Sequence, residues 1–170
     1  MAVIGIMGEK SSEAKEILEE LIEGIGQTYI HKVIDIDRKK EQSLALDVLV
    51  AVERSSAALE YISGVGDKSI FIMNPDHKDI LKCAPGNHGL VITYGFNSKV
   101  CVTASSVMDN EMQICIQRDL PTLSGKQLEQ QEFAVFVNTE DRSPEHLLAA
   151  VTALLACDGA NVRNLQVLKI

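Results

Sequence analysis

The sequence predicts one α/β domain: a three-layer, mostly parallel sheet flanked by helices, with an antiparallel β extension. Three observations predict it. From Val3 to Tyr94, short apolar runs of strand length alternate with helical segments, the pattern of a parallel sheet covered on both faces. After Tyr94 the helical spacing disappears, and three strand-like segments follow one another. The chain has 170 residues, which suits a single domain able to bury roughly 70% of its unfolded surface.

The elements follow in order. Val3 to Met7 is a short apolar run ending in Gly8, a buried strand. Ser11 and Ser12 offer N-caps, and Ala14, Ile17, Leu18, Leu21, Ile22 and Ile25 then recur with the spacing of one helical face. Gly24 and Gly26 end that helix. Tyr29 to Ile36 reads as a second strand, and Arg38 to Ser43 is charged and ambiguous. Asp47 to Val52 is a third strand and Ser55 to Ile62 a short helix, broken by Gly64 and Gly66. Ser69 to Met73 is a fourth strand, with a short helix near Asp76 to Lys82, and Leu90 to Tyr94 is a fifth. Val100 to Ser106, Glu111 to Gln117 and Glu132 to Asn138 make the antiparallel extension, with Asp109-Asn110 as a turn. A last helix starts after Ser143-Pro144, with proline in the first turn. It presents Leu147, Ala150, Val151, Leu154 and Leu155 on one face, with Gly159 past its end.

Composition narrows the function classes. Apolar residues make up 46% of the chain and aromatic ones 4%, so the core is aliphatic. The net charge of −8 argues against nucleic acid, which needs clustered Lys and Arg, and against an anionic membrane surface. No apolar run reaches transmembrane length, and the N-terminus lacks the basic region and cleavage site of a signal peptide. The expected location is the cytoplasm. Cys83, Cys101, Cys115 and Cys157 form no C-x-x-C pair and read as reduced core residues. His31, His77, His88 and His146 show no metal-ligand spacing.

The first loop, Gly5-Ile6-Met7-Gly8-Glu9-Lys10-Ser11-Ser12, joins a strand to a helix, and such a turn aims backbone N–H groups at an anion. A phosphate loop requires G-x-x-x-x-G-K-[ST]: glycines to wrap phosphate, lysine to reach it and a hydroxyl to hold Mg²⁺. Lys10-Ser11 is present, but Gly5 and Gly8 stand at the wrong distances and Glu9 brings negative charge. Two readings stay open: a tight turn with a solvated Lys10, or residual anion binding.

Several segments, taken in order, resemble the central ATP-binding domain of the Mur ligases. Ile4-Gly5-Ile6-Met7-Gly8 resembles the family's I-G-I-T-G, with Glu9 standing for about three residues before Lys10-Ser11. Val52-Glu53-Arg54-Ser55-Ser56-Ala57-Ala58-Leu59 is similar to M-E-V-S-S-H-A-L, whose glutamate helps hold Mg²⁺. Phe71-Ile72-Met73-Asn74-Pro75-Asp76 resembles V-V-N-x-D-D, and Val91-Ile92-Thr93-Tyr94-Gly95 resembles V-I-T-Y-G, with Val102-Thr103-Ala104 opening the next strand. His146-Leu147-Leu148-Ala149-Ala150 resembles the N-A-L-A-A helix near the adenine. The departures are as informative. Only Glu60 to Lys68 fills the interval where the family carries T-N-x-x-x-D-H-L-D and a modified lysine. Arg142 to His146 replaces H-N-x-x-N with the loss of both asparagines. The resemblance covers the family's middle domain alone, and its other two domains are expected to be missing.

The resemblance implies a P-loop-type, Mur-ligase-middle-domain-like fold over residues 1–170, with ATP and Mg²⁺ as the cofactors a surviving site takes. Its residual nucleotide-binding residues are Gly5, Gly8, Lys10, Ser11, Ser12, Asn74 and His146, and its Mg²⁺ residues Ser11 and Glu53; no catalytic residue is carried over. Beside it stand plainer readings. Asp35 and Asp37 either meet a ribose or cap the strand end, Glu53 is otherwise a helix-start acid, and Asp76-His77-Lys78-Asp79 is a helix N-terminus. Three functions follow. One is a non-catalytic, bacterial-type binding or scaffolding domain linked to cell-wall peptide metabolism, with a protein partner or a second copy of itself. The second is a nucleotide-binding protein or slow ATPase. The third is a subunit of an ATP-dependent amide ligase. Loop length favours the first, and Lys10, Ser11 and Glu53 support the second.

Overall fold

A computed structural model of the chain describes residues 1–26, 31–36, 45–53, 66–81, 89–137 and 142–158. Five strands, β1 (Ala2–Met7), β2 (His31–Asp35), β3 (Val48–Ala51), β4 (Ile70–Met73) and β5 (Leu90–Thr93), form one sheet in the order β2-β1-β3-β4-β5. Every pairing in it is parallel. Successive side chains alternate between its faces: Val48, Val50, Ile70 and Ile72 join one apolar cluster, while Leu49, Ala51, Phe71 and Met73 join another. Burial on both faces is why these strands read as unbroken apolar runs.

The first helix, α1 (Ser11–Gly24), buries Ala14, Ile17, Leu18, Leu21 and Ile22, the predicted face. Its start differs from expectation. The N-cap is Lys10, with no side-chain capping bond; Ser11 is already helical because its hydroxyl donates to Asp35 at the end of β2, 2.8 Å away. Gly24 closes the helix, and Gly26 follows at φ 73°, the left-handed turn glycine tolerates. A single turn, α2 (Lys78–Leu81), places Ile80 in the second cluster.

The last helix, α3 (Pro144–Ala156), begins at the Ser143 cap as predicted. Its burial exceeds the predicted stripe: every side chain from His146 to Ala156 is buried. The reason is packing on three sides, against α1, against β3 and β4, and against β6 of the extension; a helix so enclosed is apolar all round. The left-handed residue past its end is Asp158, at φ 56°, and Gly159 lies outside the described residues.

The extension comprises β6 (Val102–Met108), β7 (Glu111–Ile116), β8 (Leu120–Pro121), β9 (Gln127–Leu128) and β10 (Gln131–Phe136). β6, β7 and β10 form an antiparallel sheet in the order β10-β7-β6, with Asp109-Asn110 as the expected two-residue turn. It is a sheet of its own, joined to the parallel one by an isolated bridge between Tyr94 and Val102. Sequence patterning misses the β8-β9 hairpin, which is two residues per strand. That hairpin caps the end of α3: the Leu123 N–H donates to the Ala156 carbonyl at 2.9 Å, and Asp158 accepts from the Ser124 N–H and hydroxyl at 2.7 and 2.9 Å.

Cys101, Cys115 and Cys157 are free thiols, but only Cys157 is a core residue; the other two are half-buried on the extension. Cys83, Asp37, the charged segment Arg38 to Ser43 and the helix expected at Ser55 to Ile62 lie outside the described residues. Among the described residues no helix is long and apolar enough to cross a membrane.

The enclosure of α3 makes it the least tolerant element. Leu148 is fully buried, and Leu148→Ala is expected to cost about 2–5 kcal/mol. Urea unfolding checks this through a lower midpoint at unchanged slope.

Candidate functional site

Open parallel sheets place ligands beyond the C-terminal ends of their strands. Here that edge gathers the turn after β1, Glu53 after β3, Asn74 after β4, Tyr94 after β5, and the first turn of α3.

The turn after β1 is tight. Gly8 has φ 136°, and a Cβ there would sit 2.7 Å from the backbone nitrogen of Glu53, so the turn lies directly against the end of β3. The Ser11 N–H donates to the Gly8 carbonyl at 3.0 Å and the Glu13 N–H to the Lys10 carbonyl at 3.1 Å. Two N–H groups that a phosphate nest would aim outward therefore bond within the turn. Ser11 is buried with its hydroxyl on Asp35, Ser12 is half-buried, and Glu9 and Lys10 are exposed. Gly5 does not reach the turn: it lies within β1, where a Cβ would meet the Ile36 and Leu46 side chains at 2.5 and 2.8 Å.

His146, only 1% exposed, occupies the crevice. Its Nδ1 donates to Oε2 of Glu13 at 2.9 Å, and its Nε2 lies 3.4 Å from Oε1 of Glu53. The other oxygen of Glu13 accepts the Ser143 N–H at 2.6 Å. The neighbouring Glu145 uses one oxygen, Oε1, to accept from Asn74 Nδ2 at 2.8 Å and from His77 Nε2 at 2.6 Å. Asn74 is buried, and its Oδ1 accepts the Asp76 N–H at 3.0 Å. The Tyr94 hydroxyl donates to the Ala51 carbonyl at 3.0 Å.

Burial alone would raise the Glu13 carboxyl. The Ser143 N–H, the His146 hydrogen bond and charge, and the Lys10 charge outweigh it and hold Glu13 below its ordinary range. Burial first, then the Glu145 and Glu53 charges, push the Tyr94 phenol well above its ordinary range, so it serves as a structural donor rather than an acid–base group at neutral pH.

The structure thus brings Gly8, Ser11, Glu53, Asn74 and His146 to one edge, and leaves Gly5 in the strand. Asp35 holds Ser11 rather than facing a ribose. Sequence reading missed Glu13, Glu145 and the His77 contact, because their partners stand 133, 71 and 68 residues away and no local spacing marks them. Among the described residues no group of three or more His, Cys, Asp or Glu side chains converges to hold a metal ion.

No family model and no curated protein matches the chain. Solved structures do. The chain matches MurF from Acinetobacter baumannii at a TM-score of 0.63 and 12% identity, covering 99% of this chain and 46% of that one. It matches a murein peptide ligase from Psychrobacter arcticus at 0.66 and 9%, covering 98% and 46%. It matches the MurF ligase from Thermotoga maritima, solved in complex with ADP, at 0.57 and 15%, covering 99% and 48%. The chain spans about half the length of the structures it matches. At such identities the likeness establishes the fold, a Mur-ligase-like domain.

Two predictions follow from the geometry. Because the folded Glu13 carboxyl lies below its ordinary value near 4.5, its contribution to stability is complete above that value and is lost as pH falls through the folded value. The stability difference between the native chain and Glu13→Gln, followed by urea unfolding, should be constant from pH 7 to about 5 and shrink below pH 4.5. Gly8→Ala combines a left-handed φ with a clash against Glu53 backbone and should cost about 1–3 kcal/mol, read as a lower thermal midpoint.

Proposed function

We propose that this Mur-ligase-like domain corresponds to the ligases' central domain and has given up amide formation. On this reading it acts in the cytoplasm as a binding or scaffolding module linked to cell-wall peptide metabolism. The observation that carries the reading is the occupied crevice: His146 sits between Glu13 and Glu53 where the fold leaves room for a ligand.

The chemistry supports it. ATP-dependent amide formation needs an acyl phosphate held beside an attacking amine, and the rate comes from positioning and charge neutralisation. In this arrangement the residues do not fit a triphosphate with Mg²⁺. The Ser11 hydroxyl points to Asp35, Glu53 faces an imidazole, and the Ser11 and Glu13 N–H groups bond within the turn. Among the described residues, Glu9, Glu13, Glu53 and Glu145 bring four carboxyl groups to this edge, with Lys10, Lys78 beside His77 and Arg142 beside Ser143 as the nearby cations.

A second reading, a nucleotide-binding protein, is favoured by one observation: Lys10 is exposed at the start of α1, where the helix dipole also attracts anions, and the similar Thermotoga maritima ligase holds ADP. Calorimetric titration of the native chain with ATP and Mg²⁺ separates the two. The preferred reading expects a Kd no tighter than about 1 mM, or about −4 kcal/mol, and no phosphate release. A micromolar Kd abolished by Lys10→Ala establishes the second reading instead.

A further inference from the structure

We propose that the first turn of α3 is a strap: a short unit held over the crevice mainly by polar contacts that can open without unfolding the rest of the helix. The proposal rests on the reading of the crevice as closed and names the device that closes it.

The helix divides into two parts with different attachments. From Leu147 to Ala156 every side chain is buried in the main apolar cluster, apart from Thr152, whose hydroxyl bonds back to the Leu148 carbonyl. That part is held by packing. Ser143, Pro144 and Glu145 are only half-buried, and of the four residues from Ser143 to His146 only His146 is buried. This turn is held by hydrogen bonds and ion pairs: the Ser143 N–H and His146 Nδ1 on the two oxygens of Glu13, His146 Nε2 against Glu53, and Glu145 against Asn74 and His77. Glu13 therefore grips the turn with both oxygens and is the pin of the strap. Segments held by few apolar contacts open at lower free energy than packed helix.

The consequence is positional. The strap meets Glu53 and Asn74 at this edge. Lifting it releases the Glu53 contact with His146 and the Asn74 contact with Glu145 together, because one turn supplies both. Access to the crevice is then controlled by the α1–α3 contact rather than by the turn after β1.

Residue-resolved amide hydrogen exchange tests this on the native chain and its variants. Ser143 has φ −66°, which proline adopts without strain, so Ser143→Pro removes the N–H held by Glu13 without changing charge. Ser143→Ala keeps that N–H and controls for the lost capping hydroxyl. Relative to Ser143→Ala, Ser143→Pro should speed exchange at Leu147 and Leu148 by about tenfold or more while leaving Val151 to Ala156 within about twofold. Glu13→Gln, the milder variant should the proline chain fold poorly, should show the same local pattern. Equal acceleration along all of α3 overturns the proposal, since turn and helix are then one cooperative unit. No acceleration at Leu147 and Leu148 overturns it as well, since the polar contacts then do not hold the turn. Exchange rates report the strap whether or not nucleotide binds, so this outcome is independent of the ATP titration.

Discussion

The structure depends on the enclosure of α3. A 13-residue helix with its last eleven side chains buried cannot be shifted by a turn or rotated without exposing leucine or overfilling a gap, because interiors are packed to crystal density. Its position is fixed at both ends by the chain itself: by the Ser143 cap and Pro144 at the start, and at the finish by the β8-β9 hairpin on Ala156 and Asp158. The small side chains Ala149, Ala150, Ala153 and Ala156 let α1 and the sheet approach closely. Once α3 is set, the residue at the start of its buried run must enter the crevice, and that residue is His146.

Placing an imidazole there is costly unless its polar atoms are met. The fold meets them from two elements that α3 already touches, α1 through Glu13 and the end of β3 through Glu53. The carboxylates are part-exposed, with the Glu13, Glu53 and Glu145 side chains at 31, 27 and 27%, and two of them have further partners. Glu13 has the Ser143 N–H and His146, and Glu145 has Asn74 and His77. Loss of Glu13 or Glu145 takes a partner from a buried side chain, His146 or Asn74, a cost set against the apolar packing behind the cluster. A charge arrangement suited to an anionic ligand would look different: donors and cations would outnumber carboxylates.

Much of the fold was legible because its signals are local. Alternation of strands and helical spacing up to Tyr94, the loss of spacing afterwards, the Ser143-Pro144 start and the Asp109-Asn110 turn all act within a few residues. The β8-β9 hairpin was not legible, since two-residue strands carry no periodicity. The full burial of α3 was underread because its third side faces β6, a tertiary contact that no helical pattern encodes. The same limit governs the site. Ser11, Glu53, Asn74 and His146 were named from motif resemblance, and the structure does bring them to one edge. Their partners Glu13 and Glu145 were missed, because the Ser143 N–H and Asn74 reach them only after folding. Ser11 read as a cap because a serine before an apolar face normally is one; the buried carboxylate of Asp35 competes successfully for its hydroxyl.

The short turn after β1 and the occupied crevice are two halves of one geometry. A phosphate loop must bulge away from the neighbouring strand end to leave a cavity the size of a phosphate group. In this chain Gly8 instead brings the turn against the Glu53 backbone, a contact that only a residue without Cβ can make. The approach removes the cavity from one side and carries α1 close enough for Glu13, at its first turn, to reach Ser143 and His146. Glu13, at the first turn of α1, gives His146 the second partner that Glu53 alone would not supply. The shortened loop and the glutamate–histidine cluster therefore require each other: the tight turn makes the cluster reachable, and the cluster fills the space the tight turn no longer leaves to a ligand.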